Sequence, residues 1–243
     1  MNRTIAFMYG VVVYLIGLVA TLYTVGFVGN MVVPKTIDSG EPGQFGPALL
    51  IDTLLLGLFG IQHSLMARPG FKQWWTGLVP QPVERSTYVL FTSLALGLIF
   101  WGWQPITSVV WTVESPPGRA LLWSLYFIGW AIVFWTTFLI NHFDLFGLRQ
   151  VYFFLREQKY TYPGFVTPLF YKLVRHPLML GFLIAFWVTP HMTVGHLVFS
   201  VVMTAYILYA IQLEERDMVS ALGKTYEEYR EQVPMVLPVP KKK

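Results

Sequence analysis

The chain has 243 residues, of which 55% are hydrophobic and only 12% are charged, with a formal net charge of +4. Soluble domains carry roughly 25% charged residues, so this composition excludes an ordinary soluble protein. The absence of cysteine excludes disulfides, zinc-thiolate sites and cysteine nucleophiles. We predict an all-α fold, because a backbone in lipid must satisfy its hydrogen bonds internally.

Four apolar segments in the first part of the chain predict four membrane crossings. They lie within 4–34, 48–67, 86–103 and 120–141. Each offers about the 17 to 25 residues that a membrane-spanning helix needs. With a C-terminal helical hairpin, described next, the prediction is a polytopic membrane helical bundle of five to six segments.

The last apolar block is interrupted by a proline. No Asp, Glu, Lys or Arg occurs in the 38 residues from His176 to Leu213, and Pro190 divides this stretch. The piece before Pro190 is too short to cross about 30 Å of hydrocarbon, whereas a helix over 192–213 is long enough. We therefore predict a tilted helical hairpin with its apex near 189–191 and its second helix ending at Leu213.

Both ends of such a hairpin return to the same side of the membrane. Of the 17 Lys and Arg residues, 15 then fall on that side, including Lys241-Lys242-Lys243. The positive-inside rule predicts that this side and both termini are cytoplasmic, in a cell inner membrane. Four polar clusters are placed at this level: Gln62-His63-Ser64, Asn141-His142 with Asp144, Arg175-His176, and Glu214-Glu215.

Two of these clusters bracket the hairpin. Arg175 offers a rigid fork of donors for a carboxylate, and His176 donates or accepts a proton near neutral pH. Glu214-Glu215 at the end of a helix would oppose its dipole by roughly 0.3–1 kcal/mol. A compensating cation is expected, either an arginine or a cationic ligand. The alternative is an ordinary membrane-proximal basic residue and a solvated helix end.

The order of these motifs is more specific than either end alone. The matching residues are Arg175-His176-Pro177, Gly181, Glu214-Glu215, Gly223, Tyr226, Tyr229 and Val233-Pro234. Over the last quarter of the chain they resemble the integral-membrane methyltransferases of the isoprenylcysteine carboxyl methyltransferase and phospholipid N-methyltransferase superfamily. That family commonly has an aromatic residue two positions after the proline, where this chain has Met179.

This resemblance implies that S-adenosylmethionine binds to the C-terminal portion, residues 142–243, on the cytoplasmic side of a single domain. Residues 1–141 form the four-helix portion of that domain. The implied cofactor-binding residues are Arg175, His176, Leu178, Gly181, Glu214, Glu215 and Tyr229.

The upstream motifs resemble a narrower group, the bacterial methanethiol S-methyltransferases. The matching segments are Gln62-His63-Ser64 with Met66-Ala67-Arg68-Pro69, Glu84-Arg85-Ser86-Thr87-Tyr88, and residues 141–150. This resemblance implies methylation of methanethiol to dimethyl sulfide, with S-adenosylhomocysteine as the second product.

Methyl transfer to a thiol requires the thiolate, because the thiol is a poor nucleophile. His63 and His142 are the candidate general bases, and Asp144 is a candidate orienting residue or alternative base. Gln62 and Asn141 are candidate substrate-binding residues. For each histidine a purely structural role at the interface is the alternative. No metal site is predicted.

Other functions stay open at this point. The same cofactor chemistry could act on a lipid amine, a prenylcysteine carboxylate or another thiol. A membrane haem protein would use His63 and His142 as axial ligands, and a transporter would use Asp52 in the second crossing. The expected partners are a small thiol and membrane lipid, with no nucleic acid, and the oligomeric state is left open.

Overall fold

The structure is a computed structural model that describes residues 1–162 and 164–239. Lys241-Lys242-Lys243, counted above among the cytoplasmic charges, lie outside the described residues. Helices dominate the chain. The elements are α1 Arg3–Val28, α2 Phe45–Ala67, α3 Pro69–Trp75, α4 Gln81–Gly102, β1 Val109–Thr112, α5 Pro116–Leu139, α6 His142–Leu145, α7 Leu148–Leu155, a 3-10 turn Leu169–Lys172, α8 Pro177–Trp187, β2 His191–Thr193, α9 Val194–Leu222 and α10 Lys224–Gln232.

Within the described residues, five helices are long and apolar enough to cross a membrane, namely α1, α2, α4, α5 and α9. Helix α8 is apolar but has only 11 residues. Four spanning helices are thus followed by a hairpin of one short and one long helix. The predicted polytopic helical membrane fold is confirmed.

The first compact unit contains residues 1–108, the described residues of 141–164, and 193–198. Within it, α4 packs against α1 and α2, and α7 packs against α1 and α4. Met66 near the end of α2 shares a buried cluster with Tyr88 near the start of α4, so these two helix ends lie at the same level. At the other end of α2, the Asp52 carboxylate accepts the backbone N–H of Gln104 at 2.8 Å, just past α4.

The second compact unit contains residues 109–140, 165–192 and the described residues from 199 onward. Helix α5 packs along α8. The hairpin is closed by the rings of Phe186 and Phe199, whose centroids are 5.0 Å apart, and by the Trp187 indole, which donates to Thr204 Oγ1 at 2.8 Å. The predicted apex is confirmed, because α8 ends at Trp187 and β2 begins at His191.

The apex also contains a feature that the sequence analysis did not predict. Strands β1 and β2 form a two-stranded sheet. The β1 sequence, Val-Val-Trp-Thr, consists of β-branched and aromatic residues that favour strands. The short strand lies between the third and fourth predicted crossings, where the sequence analysis predicted no element.

Candidate functional site

A buried ion pair between Arg175 and Glu215 forms the centre of the polar cluster in the second unit. The residues are 7% and 6% exposed, and the Arg175 Nε and Nη2 atoms both lie 2.7 Å from Oε1 of Glu215. Nη1 donates to the carbonyls of Arg230 at 3.0 Å and Val233 at 2.5 Å. All three guanidinium nitrogens are therefore bonded to the protein, and Arg175 links α9 to the end of α10.

His176 adds an imidazole to this ion pair. Its Nε2 lies 3.1 Å from Glu215 Oε1, and its Nδ1 lies 3.8 Å from Glu214 Oε2. His176 is the N-cap of α8, and Pro177 follows at the first helical position, where its missing N–H is no loss. The predicted meeting of Arg175-His176 with Glu214-Glu215 is confirmed as geometry, while their binding roles stay predictions.

The two glutamates lie within α9 and not at its end. The expectation that this helix ends at Leu213 was wrong, and so was the argument that the acids oppose its dipole, because α9 continues to Leu222. Gly223 follows with φ of +56°, a conformation that glycine adopts at low cost. Adjacent residues point about 100° apart on a helix, so Glu215 is buried while the Glu214 side chain is 50% exposed.

Aromatic rings lie in the same unit as these carboxylates, on α10 and on the segment before α8. The Phe165 ring is 5.8 Å from that of Tyr226 and 5.5 Å from that of Tyr229, and the two tyrosine rings are 5.8 Å apart. The Tyr229 hydroxyl donates to the Tyr171 carbonyl at 2.6 Å. Sequence reasoning missed Phe165 and Tyr171, because no motif marks them within the long aromatic connection before α8.

The tyrosine hydroxyls in this group are neutral. Burial, and then the charge of Glu214, raises the pKa of Tyr171 above its usual range. Burial also raises the pKa of Tyr226, with further contributions from Glu215 and Glu214, and it raises the pKa of Tyr229 to about 12. Among the tyrosines and glutamates of this cluster, only Glu214 and Glu215 therefore supply negative charge.

Gly181 and Leu178 occupy different environments on α8. A Cβ on Gly181 would lie 2.7 Å from the carbonyl oxygen of Gly129 on α5, and a Cβ on Gly129 would lie 2.9 Å from that of Gly181. Close helix packing is therefore a sufficient reason for glycine at 181. Leu178 is partly buried in the first turn of α8.

His63 belongs to the first unit and is enclosed by α2 and α4. The Tyr88 hydroxyl lies 3.0 Å from each ring nitrogen of His63, and the Thr92 hydroxyl lies 3.2 Å from Nδ1. The Phe59 ring stacks on the imidazole with centroids 5.3 Å apart and planes 14° apart. The imidazole is thus held both by hydroxyl groups and by an aromatic face.

Gln62 precedes His63 on α2 and presents an unsatisfied acceptor. Its Nε2 donates to Met66 Sδ at 3.1 Å, whereas its buried Oε1 has no hydrogen-bond partner among the described residues. A buried acceptor without a donor costs about 1–3 kcal/mol. An S–H group or a water molecule bound there would remove this cost, which is consistent with the predicted substrate-binding role.

His142 starts the one-turn helix α6 and is 4% exposed. Its Nε2 lies 3.0 Å from the hydroxyl of Tyr14 on α1. Burial lowers the pKa of His142, so the imidazole is neutral at pH 7. Tyr14 was missed because one tyrosine in an apolar span carries no signal of its partner.

Asn141 and Asp144 are engaged in local structure. The Asn141 side chain caps α6 by accepting the Asp144 N–H at 3.2 Å, and its backbone φ is +83°. Oδ1 of Asp144 accepts hydrogen bonds from the Tyr160 hydroxyl at 2.7 Å and from Arg149 Nη1 at 3.2 Å. The structure thus gives both residues a structural role, and their substrate-binding and catalytic roles stay predictions.

Known proteins align with this chain over nearly its whole length. A methanethiol S-methyltransferase of Mycobacterium tuberculosis is 52% identical, covering 99% of this chain and 98% of its own. A methanethiol S-methyltransferase of Crocosphaera subtropica is 55% identical, covering 98% and 93%. The chain belongs to the methanethiol S-methyltransferase family.

Two further comparisons refine this membership. Methanethiol S-methyltransferase 1 of Bradyrhizobium diazoefficiens is 52% identical, covering 97% of this chain and 83% of its own. A family model described as NnrU protein matches residues 51–234, which leaves α1 and its Tyr14 outside. No solved structure matches the chain.

Proposed function

We propose that this protein transfers the methyl group of S-adenosylmethionine to methanethiol, releasing dimethyl sulfide and S-adenosylhomocysteine. The observation that carries the proposal is 52–55% identity, over 97–99% of the chain, to three relatives named methanethiol S-methyltransferase. We also propose that the protein lies in a cell inner membrane with both termini in the cytoplasm, on the side with most of the basic residues.

The polar cluster of the second unit is the proposed site for the methyl donor, and its residues suit a cation. When bound, S-adenosylmethionine supplies an electrophilic methyl group whose bond to the sulfonium breaks as the thiolate sulfur bonds to the carbon. The half-exposed Glu214 carboxylate is suited to an ammonium group or a ribose hydroxyl. The faces of Tyr226 and Tyr229 are suited to cationic groups as well.

Arg175 has a different role in this proposal from the one that the sequence suggested. Because its nitrogens bond to Glu215 and to two carbonyls, a cofactor carboxylate would have to compete with these partners. We therefore assign Arg175 and His176 to holding Glu215 in place. Glu214 is the carboxylate that we assign to direct contact.

The acceptor thiol is assigned to the cluster of the first unit. Gln62 Oε1 accepts the S–H hydrogen bond of the entering thiol, which then turns its proton to a neutral histidine, His63 or His142, and that histidine removes it. The apolar and aromatic surroundings of His63 suit a small uncharged thiol. Proton removal is needed because a simple alkanethiol is mostly protonated at neutral pH.

The test is a methyl-transfer assay on the purified protein in detergent, with methyl-labelled S-adenosylmethionine. The acceptors are methanethiol, a longer alkanethiol, phosphatidylethanolamine and a prenylcysteine, and labelled dimethyl sulfide is measured in the headspace. We expect turnover with methanethiol. Transfer only to the lipid amine or the prenylcysteine would reject the acceptor, and no transfer to any acceptor would reject the proposal.

The donor site has its own control within the same assay. Glu214→Gln removes the proposed contact, and we expect it to weaken equilibrium binding of S-adenosylmethionine by about tenfold or more. Glu228→Gln changes an exposed glutamate on α10 and should bind as the wild type does. Equal binding by both variants would refute the role of Glu214.

A further inference from the structure

Arg85, near the start of α4, contacts the supports of both histidines in the first unit. Its guanidinium carbon lies 4.7 Å above the Tyr88 ring, and its Nε donates to the carbonyl of Leu145 at 2.7 Å. Tyr88 is the partner of His63, and Leu145 is the last residue of the helix that begins at His142. One side chain therefore connects two sites that are 79 residues apart in the sequence.

The first connection orients the His63 partner. The guanidinium plane over the Tyr88 ring attracts the π face, and this limits how the ring tilts. The hydroxyl of that ring lies within 3.0 Å of both His63 nitrogens. A change in the ring's tilt moves the hydroxyl and therefore changes the hydrogen bonding of the imidazole.

The second connection fixes the turn that carries His142. The Leu145 N–H donates to the Asn141 carbonyl at 3.0 Å, which closes α6. Gly147 follows with φ of +86°, and a Cβ there would lie only 2.6 Å from the backbone nitrogen of Ser86. Glycine thus permits the start of α4 to approach the end of α6 closely, and Arg85 adds its hydrogen bond to this contact.

We propose that Arg85 is a positioning residue that couples the imidazoles of His63 and His142, so that removal of the acceptor proton depends on it. The inference rests on the proposed function, which assigns proton removal to one of these histidines. Arginine suits the task because its planar fork stacks on a ring while Nε donates in the same plane. Lysine cannot make both contacts at once.

Arg85→Lys is the main variant. We expect kcat for thiol methylation to fall by about 100-fold, because small displacements of catalytic groups have effects of this size. The KM for S-adenosylmethionine should stay within about twofold of wild type, because the donor site is assigned to the second unit. Arg156→Lys, which changes an exposed arginine just after α7, is the matched control and should leave both values unchanged.

One further variant separates the two connections. Arg85→Gln keeps an amide nitrogen at the position of Nε but loses the charge over the Tyr88 ring, so it should disturb His63 alone. Nuclear magnetic resonance of ring-labelled histidine, titrated from pH 5 to pH 8, reports both imidazoles without requiring turnover.

The expected result is that Arg85→Lys shifts the ring signals of His63 and His142 and leaves those of His191 in place. Unchanged kcat, or a shift of only one of the two histidines, would overturn the coupling. Loss of donor affinity together with kcat would assign Arg85 to general stability and would also overturn it. If the wild type methylates no thiol, the proposed function fails, and the ring signals still decide whether Arg85 couples the histidines.

Discussion

The two candidate clusters satisfy their polar groups in opposite ways. In the second unit, formal charges are buried against one another, and Arg175 is bonded through every nitrogen. In the first unit, the side chains in direct contact with His63 are the uncharged Phe59, Tyr88 and Thr92, and the buried Gln62 Oε1 has no partner among the described residues. A cluster of paired charges suits a charged donor, whereas uncharged contacts beside an unsatisfied acceptor suit a small thiol.

The largest effect is expected when the carboxylate charge is removed from the ordered cluster of the second unit. Glu215→Gln leaves the Arg175 guanidinium buried without its carboxylate, which costs roughly 3–5 kcal/mol. We expect a lower free energy of unfolding and at least a 100-fold loss of S-adenosylmethionine binding. Chemical denaturation and equilibrium binding measure the two effects, with Glu228→Gln as the control. Wild-type binding by Glu215→Gln would show that the ion pair does not order the donor site.

Changing the neutral cluster should affect turnover and spare donor binding. We compare His63→Gln with His142→Gln. The variant that removes the general base should lower kcat by about 100-fold or more without a change in donor affinity. His191→Gln, at the exposed start of β2, is the matched histidine control. If neither variant lowers kcat, the proton is taken by another group and both histidines are structural.

Gly181 allows helix packing to be separated from cofactor binding. Gly181→Ala places a Cβ 2.7 Å from the Gly129 carbonyl, and overpacking of this kind costs about 1–3 kcal/mol. Gly57→Ala, where no neighbour lies within 4 Å, should leave stability equal or slightly higher. Thermal unfolding measures the stabilities of Gly181→Ala and Gly57→Ala against the wild type. A loss of donor affinity at unchanged stability would restore the binding role that the sequence suggested.

A smaller effect is expected for Tyr14 on α1. Tyr14→Phe removes one hydrogen bond to His142, worth about 0.5–1.5 kcal/mol, and should lower kcat by about tenfold. Donor affinity is the internal control. Loss of donor affinity, or no change in kcat, would contradict a positioning role for this hydroxyl.

The pH dependence of stability tests the burial of His142. Its folded pKa lies below the ordinary value of 6.5, so the unfolded chain binds the proton more readily. Stability from the neutral imidazole is complete above pH 6.5 and is lost as the pH falls below it. Denaturation between pH 5 and pH 8 should show this fall in the wild type and a smaller one in His142→Gln.

Composition and charge placement were enough to predict the helical membrane fold, because lipid leaves few alternatives for the backbone. The meeting of Arg175-His176 with Glu214-Glu215 also followed, since a hairpin returns its ends to one side. The end of α9 could not be predicted in this way. The polar residues after Leu213 are good helix formers, and hydropathy records only where apolar residues stop. Partners such as Tyr14 and Tyr171 depend on tertiary packing, which leaves no local pattern. The division of the chain at residue 141 stays a prediction.

The interrupted hairpin exposes backbone carbonyls that must find hydrogen-bond donors without water. At about 1.5 Å per residue, the 11 residues of α8 reach only about 16 Å, so non-helical backbone continues toward the apex at hydrocarbon depth. Three carbonyls there have donors: Ser200 Oγ for Phe186, the Trp111 indole for Thr189, and the Val113 N–H for Pro190. The strand β1 and its neighbours thus take the place of solvent, and shortening that loop would open a path for water where the helix stops.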